Sequence, residues 1–122
     1  MKIRIKENSV RIRLSKSETE KILAHGYLEE RTEFTNNTFF YAVRSTPHQT
    51  MSADFINGNI TMCVPEHLIE QWVNSNLVSL DYSMPLSNDK FLHLLLEKDF
   101  KCIDAVTTED QSDYFENPAK SC

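Results

Sequence analysis

Apolar and charged residues alternate from the start of the chain. Ile3 and Ile5 sit between Lys2, Arg4 and Lys6, a period of two that predicts a strand. After Glu7-Asn8-Ser9 the alternation resumes, with Val10, Ile12 and Leu14 set against Arg11 and Arg13. The two runs predict a hairpin with one apolar and one cationic face. Ser15-Lys16-Ser17-Glu18 then reads as a capping box, the Ser15 hydroxyl reaching the third helical amide and Glu18 reaching back. Ile22 and Leu23 supply the inner stripe of a short helix, and Gly26 ends it as a residue free to turn left-handed. Strands follow at about 27–34 and 38–44, joined through Thr35-Asn36-Asn37.

The second half repeats this order. Asn57-Gly58 is a two-residue hairpin signal, because both central residues must accept positive φ. It joins Ala53–Ile56 to Asn59–Val64. Pro65 is expected at the first helical position, where its missing N–H costs nothing. Leu68, Ile69, Trp72 and Val73 form one helical face, and Asn74-Ser75-Asn76 ends it. Val78, Leu80, Tyr82 and Met84 alternate with Ser79, Asp81 and Ser83, and a last strand runs from about Phe91 to Phe100. An offset of about fifty places Val10, Ile12 and Leu14 on Ile60, Met62 and Val64, and Ile22, Leu23 and Gly26 on Trp72, Val73 and Asn76. Each half therefore predicts ββαββ. The expected fold is α+β: about eight mostly antiparallel strands, in a closed or half-open barrel, with two short helices on the apolar face.

Strand alternation sorts the remaining residues, since a slip by one would invert every side chain. In the first half the polar face carries Lys2, Arg4, Lys6, Arg11, Arg13, Glu29, Arg31 and Glu33. In the second it carries Asp54, Thr61, Cys63, Ser79, Asp81 and Ser83. Glu30 breaks the pattern by sharing a face with Leu28 and Phe34, which assigns it to a sheet margin. Five cations on one hairpin repel one another, at a few tenths of a kcal/mol or more for each directly opposed pair. Three arrangements tolerate them. They are solvated, with Glu29 and Glu33 interleaved as surface pairs worth ~0–1 kcal/mol each; they line a curved sheet that faces water or an anion; or another part of the chain covers them.

With 122 residues and 40% hydrophobic content, the chain is long enough for one domain with a core and too short for two. One domain over 1–122, with an irregular acidic tail from about 103, is the expected organisation. No charged segment followed by an apolar stretch opens the chain, so no signal peptide is expected. Leu92-His93-Leu94-Leu95-Leu96 is too short to span a bilayer, and no membrane association is expected. The 3 cysteines, Cys63, Cys102 and Cys122, are odd in number and form no CxxC pair. That pattern fits free thiols in a reducing cytosol, hence a cytoplasmic protein. The net charge of −5 is uneven: residues 1–21 hold seven basic and three acidic residues (+4), and the remainder six basic and fifteen acidic (−9). An acidic whole argues against nucleic acid as a partner.

The opening MKIRIKENSVRIRLSKSE, the GYLEERTEF segment and the closing EDQSDYFENP resemble a family of small bacterial proteins of unknown function, over nearly the whole chain. That resemblance implies no activity. A duplicated unit of eight antiparallel strands with outer helices is separately similar in architecture to the CYTH-like barrel of triphosphate hydrolases and adenylate cyclases. The CYTH pattern opens with E-x-E-x-K on its first strand. Here Lys6 matches the lysine, and Lys2 and Arg4 stand where the metal-holding glutamates belong. A hard divalent metal needs oxygen ligands, so this departure speaks against magnesium-dependent hydrolysis at that place and leaves anion binding without chemistry standing.

No GxSxG, HExxH, P-loop or GxGxxG is present, and with only 2 glycines a phosphate-cradling glycine loop is excluded. No cofactor is implied. His25, His48, His67 and His93 show no ligand spacing with the cysteines. His93, in an apolar strand, is expected in the core or an interface. Cys102 reads as a buried structural thiol, because Asp99 and Asp104 disfavour a thiolate. Trp72, at helical spacing, is core. Glu109, Asp110 and Asp113 are weak metal candidates, lacking the glycine turn of a calcium loop. The tail that carries them is expected to fold back, its carboxylates near the cationic face and Tyr114 and Phe115 in an apolar groove. The favoured function is a non-catalytic binding module that holds a small phosphorylated or polycarboxylate anion through Arg4, Lys6, Arg11, Arg13 and Arg31. The alternatives are a CYTH-like phosphohydrolase and a protein–protein module with a free sheet edge.

Overall fold

The computed structural model of the chain describes residues 1–100 and 112–116. Its elements are β1 (Lys2–Lys6), β2 (Ser9–Leu14), α1 (Lys16–His25), β3 (Tyr27–Glu33) and β4 (Thr38–Thr46), followed by β5 (Ser52–Ile56), β6 (Asn59–Pro65), α2 (Glu66–Val73), β7 (Ser79–Pro85) and β8 (Phe91–Lys98). The order is ββαββ twice, an α+β fold. The strands form two four-stranded sheets, β1-β2-β8-β7 and β3-β4-β6-β5. They do not close into a barrel. Within each sheet the outer pairs are antiparallel hairpins, and the central pairs, β2 with β8 and β4 with β6, are parallel. Each half thus gives its second hairpin to the sheet begun by the other half.

The two sheets are equivalent under exchange of halves. Ile12 faces Leu96 in one, and Met62 faces Val43 in the other. The offset is fifty through the first hairpin and helix of each half, and fifty-three in the last strand. Two extra residues come from the connection after the helix. Gly26 alone joins α1 to β3, at φ 73°, whereas residues 74–78 join the shorter α2 to β7. The third lies in the turn before β8. Gly26 therefore has no counterpart at Asn76: α2 ends at Asn74, at φ −90° and ψ 11°, with no left-handed turn there. In place of a left-handed glycine, the buried Lys98 donates from its ammonium to the Ser75 carbonyl at 2.8 Å, a lysine cap on the exiting chain. Burial pulls its pKa down. The equivalent strand position holds Ser45, whose amide donates to the Gly26 carbonyl.

Local chemistry explains the helix starts. Ser15 and Glu18 form the expected capping box, with the Ser15 amide donating to Glu18 at 2.9 Å. Pro65 differs from expectation. It still pairs with Thr46 as the last residue of β6, and so caps α2 from outside without a side-chain bond. The inner stripe of α1 is Thr19 and Ile22; Leu23 is 38% exposed. Trp72 and Ile69 fill the equivalent places on α2, which packs against α1. Both sheets and both helices share one core, with Ile12, Leu14, Met62, Val64, Leu96 and Trp72 fully buried.

Polar contacts stitch the sheets at one margin and explain Glu30. The Met1 amino group donates to Glu18 at 2.6 Å and lies 3.2 Å from Glu30. The Tyr41 hydroxyl donates to the Met1 carbonyl at 3.0 Å. Burial, reinforced by Glu30 and Glu18, pushes the Tyr41 phenol up to about 12, so it remains a donor. The equivalents of Met1 and Glu18 in the second half are the buried Met51 and the half-buried Leu68. An ammonium therefore sits beside carboxylates where the other half has apolar contacts.

Two outcomes follow. Burial opposes ionisation of Glu18, but hydrogen bonds from the Met1 ammonium and from Ser15 outweigh it and hold its pKa below 4.5. A depressed carboxylate stabilises the fold above its unfolded pKa and loses that contribution as pH falls through the folded one. Thermal melts should therefore show Glu18→Gln less stable than wild type at pH 7, with the gap closing below pH 4.5; a constant gap would contradict the pairing. Separately, an isolated two-stranded hairpin is marginal in water, and neither half contains a complete sheet. Fragments 1–49 and 50–122 should each lack a folded monomer by sizing and melting, and mixing them should restore one cooperative transition. A half that melts cooperatively as a monomer would contradict the exchange.

Candidate functional site

The outer face of the β1-β2-β8-β7 sheet collects the polar residues that alternate with the core. Register fixes three rows across it. Lys6 faces Ser9, then His93, then Ser83. Arg4 faces Arg11, then Leu95, then Asp81. Lys2 faces Arg13, then Glu97, then Ser79. The hairpin cations are thus brought together as the alternation required, and strands of the other half complete their surroundings.

Neutralisation is uneven along these rows. Glu97, 17% exposed at its side chain, accepts from Arg13 Nε at 2.5 Å and lies 3.6 Å from Arg11 Nε. Lys2 reaches Asp99 at 3.1 Å, and its ammonium lies 4.5 Å over the Tyr114 ring. Among the described residues, Arg4 and Lys6 have no carboxylate within 4 Å. With Ser9 and Arg11 they line a surface depression of about 190 Å³. A second depression of about 240 Å³ adjoins it across Ser9 and Arg11, and reaches Asp81, Ser83 and His93.

His93 is not in the core. It is exposed on the outer face, where Ser83 Oγ and His93 Nδ1 lie 2.8 Å apart. The alternation of Leu92, Leu94 and Leu96 already carried that signal, because inward leucines at even positions send His93, Leu95 and Glu97 outward. Trp72 is core as expected, its indole donating to the Val78 carbonyl at 3.1 Å.

Arg31 does not join the hairpin cations. It belongs to the other sheet, where it donates to Glu29 at 2.5 Å and lies 5.3 Å over the Phe40 ring. Alternation assigned its face correctly, but the exchange of hairpins separates that face from β1 and β2. On the outer face of this second sheet Glu29 gathers further partners. Tyr27 donates to Glu29 at 3.0 Å and carries Arg44 over its ring at 5.3 Å. At the register positions equivalent to Arg4 and Lys6 it holds Asp54 and Ile56.

Part of the tail folds back, with Asp113 on a different partner from the one expected. Asp113 accepts from the Ser17 amide at 3.1 Å and from the Ser17 hydroxyl at 2.6 Å, and its carbonyl accepts from the Lys16 amide at 3.0 Å. Its carboxylate caps the Ser17 amide and its carbonyl the Lys16 amide at the start of α1, and the carboxylate leaves the hairpin cations alone. The Ser17 and Ser15 hydroxyls hold its pKa below the usual value. The Phe115 amide donates to the Asp99 carbonyl at 2.7 Å, and its ring packs 5.5 Å from Phe100, with the Lys16 and Lys98 ammoniums at 5.9 and 5.3 Å. Tyr114 does reach the cationic face, through Lys2.

Glu109, Asp110, Cys102 and Cys122 lie outside the described residues, and Asp113 is engaged with Ser17. No cluster of three or more His, Cys, Asp or Glu side chains with metal-binding geometry occurs among the described residues. Cys63 is half-buried, and burial, with Asp54 nearby, pushes its thiol pKa up, away from the reactive thiolate. No described helix is long and apolar enough to cross a membrane.

The chain belongs to a family of unknown function, DUF7009, whose model matches residues 1–119. No curated protein and no solved structure matches it.

The clasp on α1 gives a direct expectation. Asp113→Ala removes a side-chain cap, a change worth about 1 kcal/mol, and should lower the melting temperature. Ser17→Ala in the same background should add little, since the two groups act on each other. Fully additive losses would show that Asp113 and Ser17 act separately.

Proposed function

Starting from a family to which no activity is attached, we propose that this chain is a non-catalytic binding module. Its ligand is a small phosphorylated or polycarboxylate anion, held at the hairpin corner by Arg4, Lys6, Ser9 and Arg11. One observation carries this reading: among the described residues Arg4 and Lys6 lack the carboxylate partners that Lys2, Arg13 and Arg31 possess, and Arg11 has only Glu97 at 3.6 Å, which Arg13 already engages at 2.5 Å. Arg4 and Arg11 face each other directly across the hairpin, an arrangement that costs stability until an anion separates them. A planar guanidinium matches the oxygens of a phosphate or carboxylate with two parallel bonds. The Ser9 hydroxyl, which donates to the Lys6 carbonyl at 2.7 Å, adds a polar floor.

Hydrolysis of a triphosphate fits this corner poorly. A metal-assisted mechanism needs oxygen ligands beside the phosphates, and the residues there are cations. Arg13 contributes less than the sequence suggested, because Glu97 holds it.

Titration with tripolyphosphate and with citrate, followed by calorimetry or amide shifts, tests the proposal. Wild type should bind both, more weakly as salt shortens the Debye length below its physiological value of about 8 Å. Arg4→Ala/Lys6→Ala should lose most of that affinity, and Arg13→Ala little. Equal affinity in wild type and the double variant would overturn the assignment, and metal-dependent phosphate release would replace it with an enzyme.

A further inference from the structure

The anion corner is one end of a longer groove. Two strands away from Arg11, in the same row, stands Asp81. It is exposed, and among the described residues it has no basic group within 4 Å. Adjacent strands lie about 4.8 Å apart, so Asp81 sits roughly 10 Å from Arg11 across the sheet. Between them the floor is the half-buried Leu95. His93 flanks that floor in the next row, its Nδ1 held by Ser83. The groove is therefore dipolar: unmatched cations at one end, an unmatched carboxylate at the other, and an apolar floor beside an imidazole in the middle.

Each part restricts the ligand. A bare anion fills the corner and leaves Asp81 without a partner. A ligand anionic at both ends is repelled by Asp81. A ligand with a phosphate at one end and a hydrogen-bond donor at the other satisfies both, and a flat ring between them covers Leu95. We infer that the groove takes a phosphomonoester of the size of a nucleoside monophosphate, with phosphate on Arg4, Lys6 and Arg11 and an exocyclic amine on Asp81. This rests on the anion reading above and names the ligand class for the same site. The second sheet lacks the arrangement: its equivalent row is Asp54, Thr61, Ala42 and Glu29, acidic at both ends.

Calorimetric titration with inorganic phosphate, tripolyphosphate, adenosine 5′-monophosphate and purine riboside 5′-monophosphate, which lacks the exocyclic amine, tests it. Adenosine monophosphate should bind wild type about tenfold tighter than the purine analogue, the worth of one hydrogen bond to a charged acceptor, and tighter than inorganic phosphate. Asp81→Ala should erase the preference for the amine and leave tripolyphosphate affinity intact. Arg4→Ala/Lys6→Ala should weaken all four. If tripolyphosphate binds but adenosine monophosphate shows no advantage over the analogue, or keeps it in Asp81→Ala, the inference is overturned and the anion corner stands. If neither phosphate nor tripolyphosphate binds wild type, the corner and the inference fall together.

Discussion

Two parallel strand pairs, β2 with β8 and β4 with β6, hold the molecule in its arrangement. Each joins a hairpin from one half of the chain to a hairpin from the other, so neither sheet exists until both halves are present. The core depends on that junction, since Ile12 and Leu96 on one side and Met62 and Val43 on the other are fully buried neighbours across it. The outer surface depends on it equally. Glu97 meets Arg13, and His93 meets Ser9, because β8 lies beside β2. A strand order kept within each half would leave the first hairpin's cations beside Glu29 and Arg31.

This explains what could be read from the sequence. Period-two alternation, the Ser15–Glu18 box, Gly26 and Asn57-Gly58 are local signals, and they placed the eight strands and two helices in order. The facing of each side chain was also legible, down to the exposure of His93, once alternation is preferred over the apolar average of its neighbours. Strand partnership is a different kind of information. The inner sides of the strands are mostly apolar, with Glu30 and Thr32 on β3 among the exceptions, so hydrophobicity admits several orders, and Arg31 was grouped with Arg11 though it lies on another sheet. Glu30 was opaque for a related reason: its partner, the Met1 amino group, is not a side chain and leaves no mark in a pattern of residue types.

Charge is handled by distance in sequence as well as by proximity in space. The hairpin of residues 2–14 is strongly basic, and its relief comes from Glu97 and Asp99 in the last strand region and from Tyr114 beyond it. The acidic tail contributes an aromatic face to Lys2 and spends Asp113 on a helix start. Most positive charge on the first hairpin is thereby matched from the far end of the chain, which leaves Arg4 and Lys6, among the described residues, as its cations without a carboxylate partner.

The near-symmetry of the two sheets has a further consequence. A two-fold assembly of separate ββαββ chains would show identical outer faces, and any substitution would appear twice. Binding the two units into one polypeptide removes that obligation. The shared interior still constrains both copies, which is why Val10 and Ile60, or Ile22 and Trp72, remain interchangeable in kind. The exteriors are under no such constraint. One face can set Arg31 on Glu29 and carry Asp54 and Ile56 where the other carries Arg4 and Lys6, a difference that a symmetric assembly could not hold.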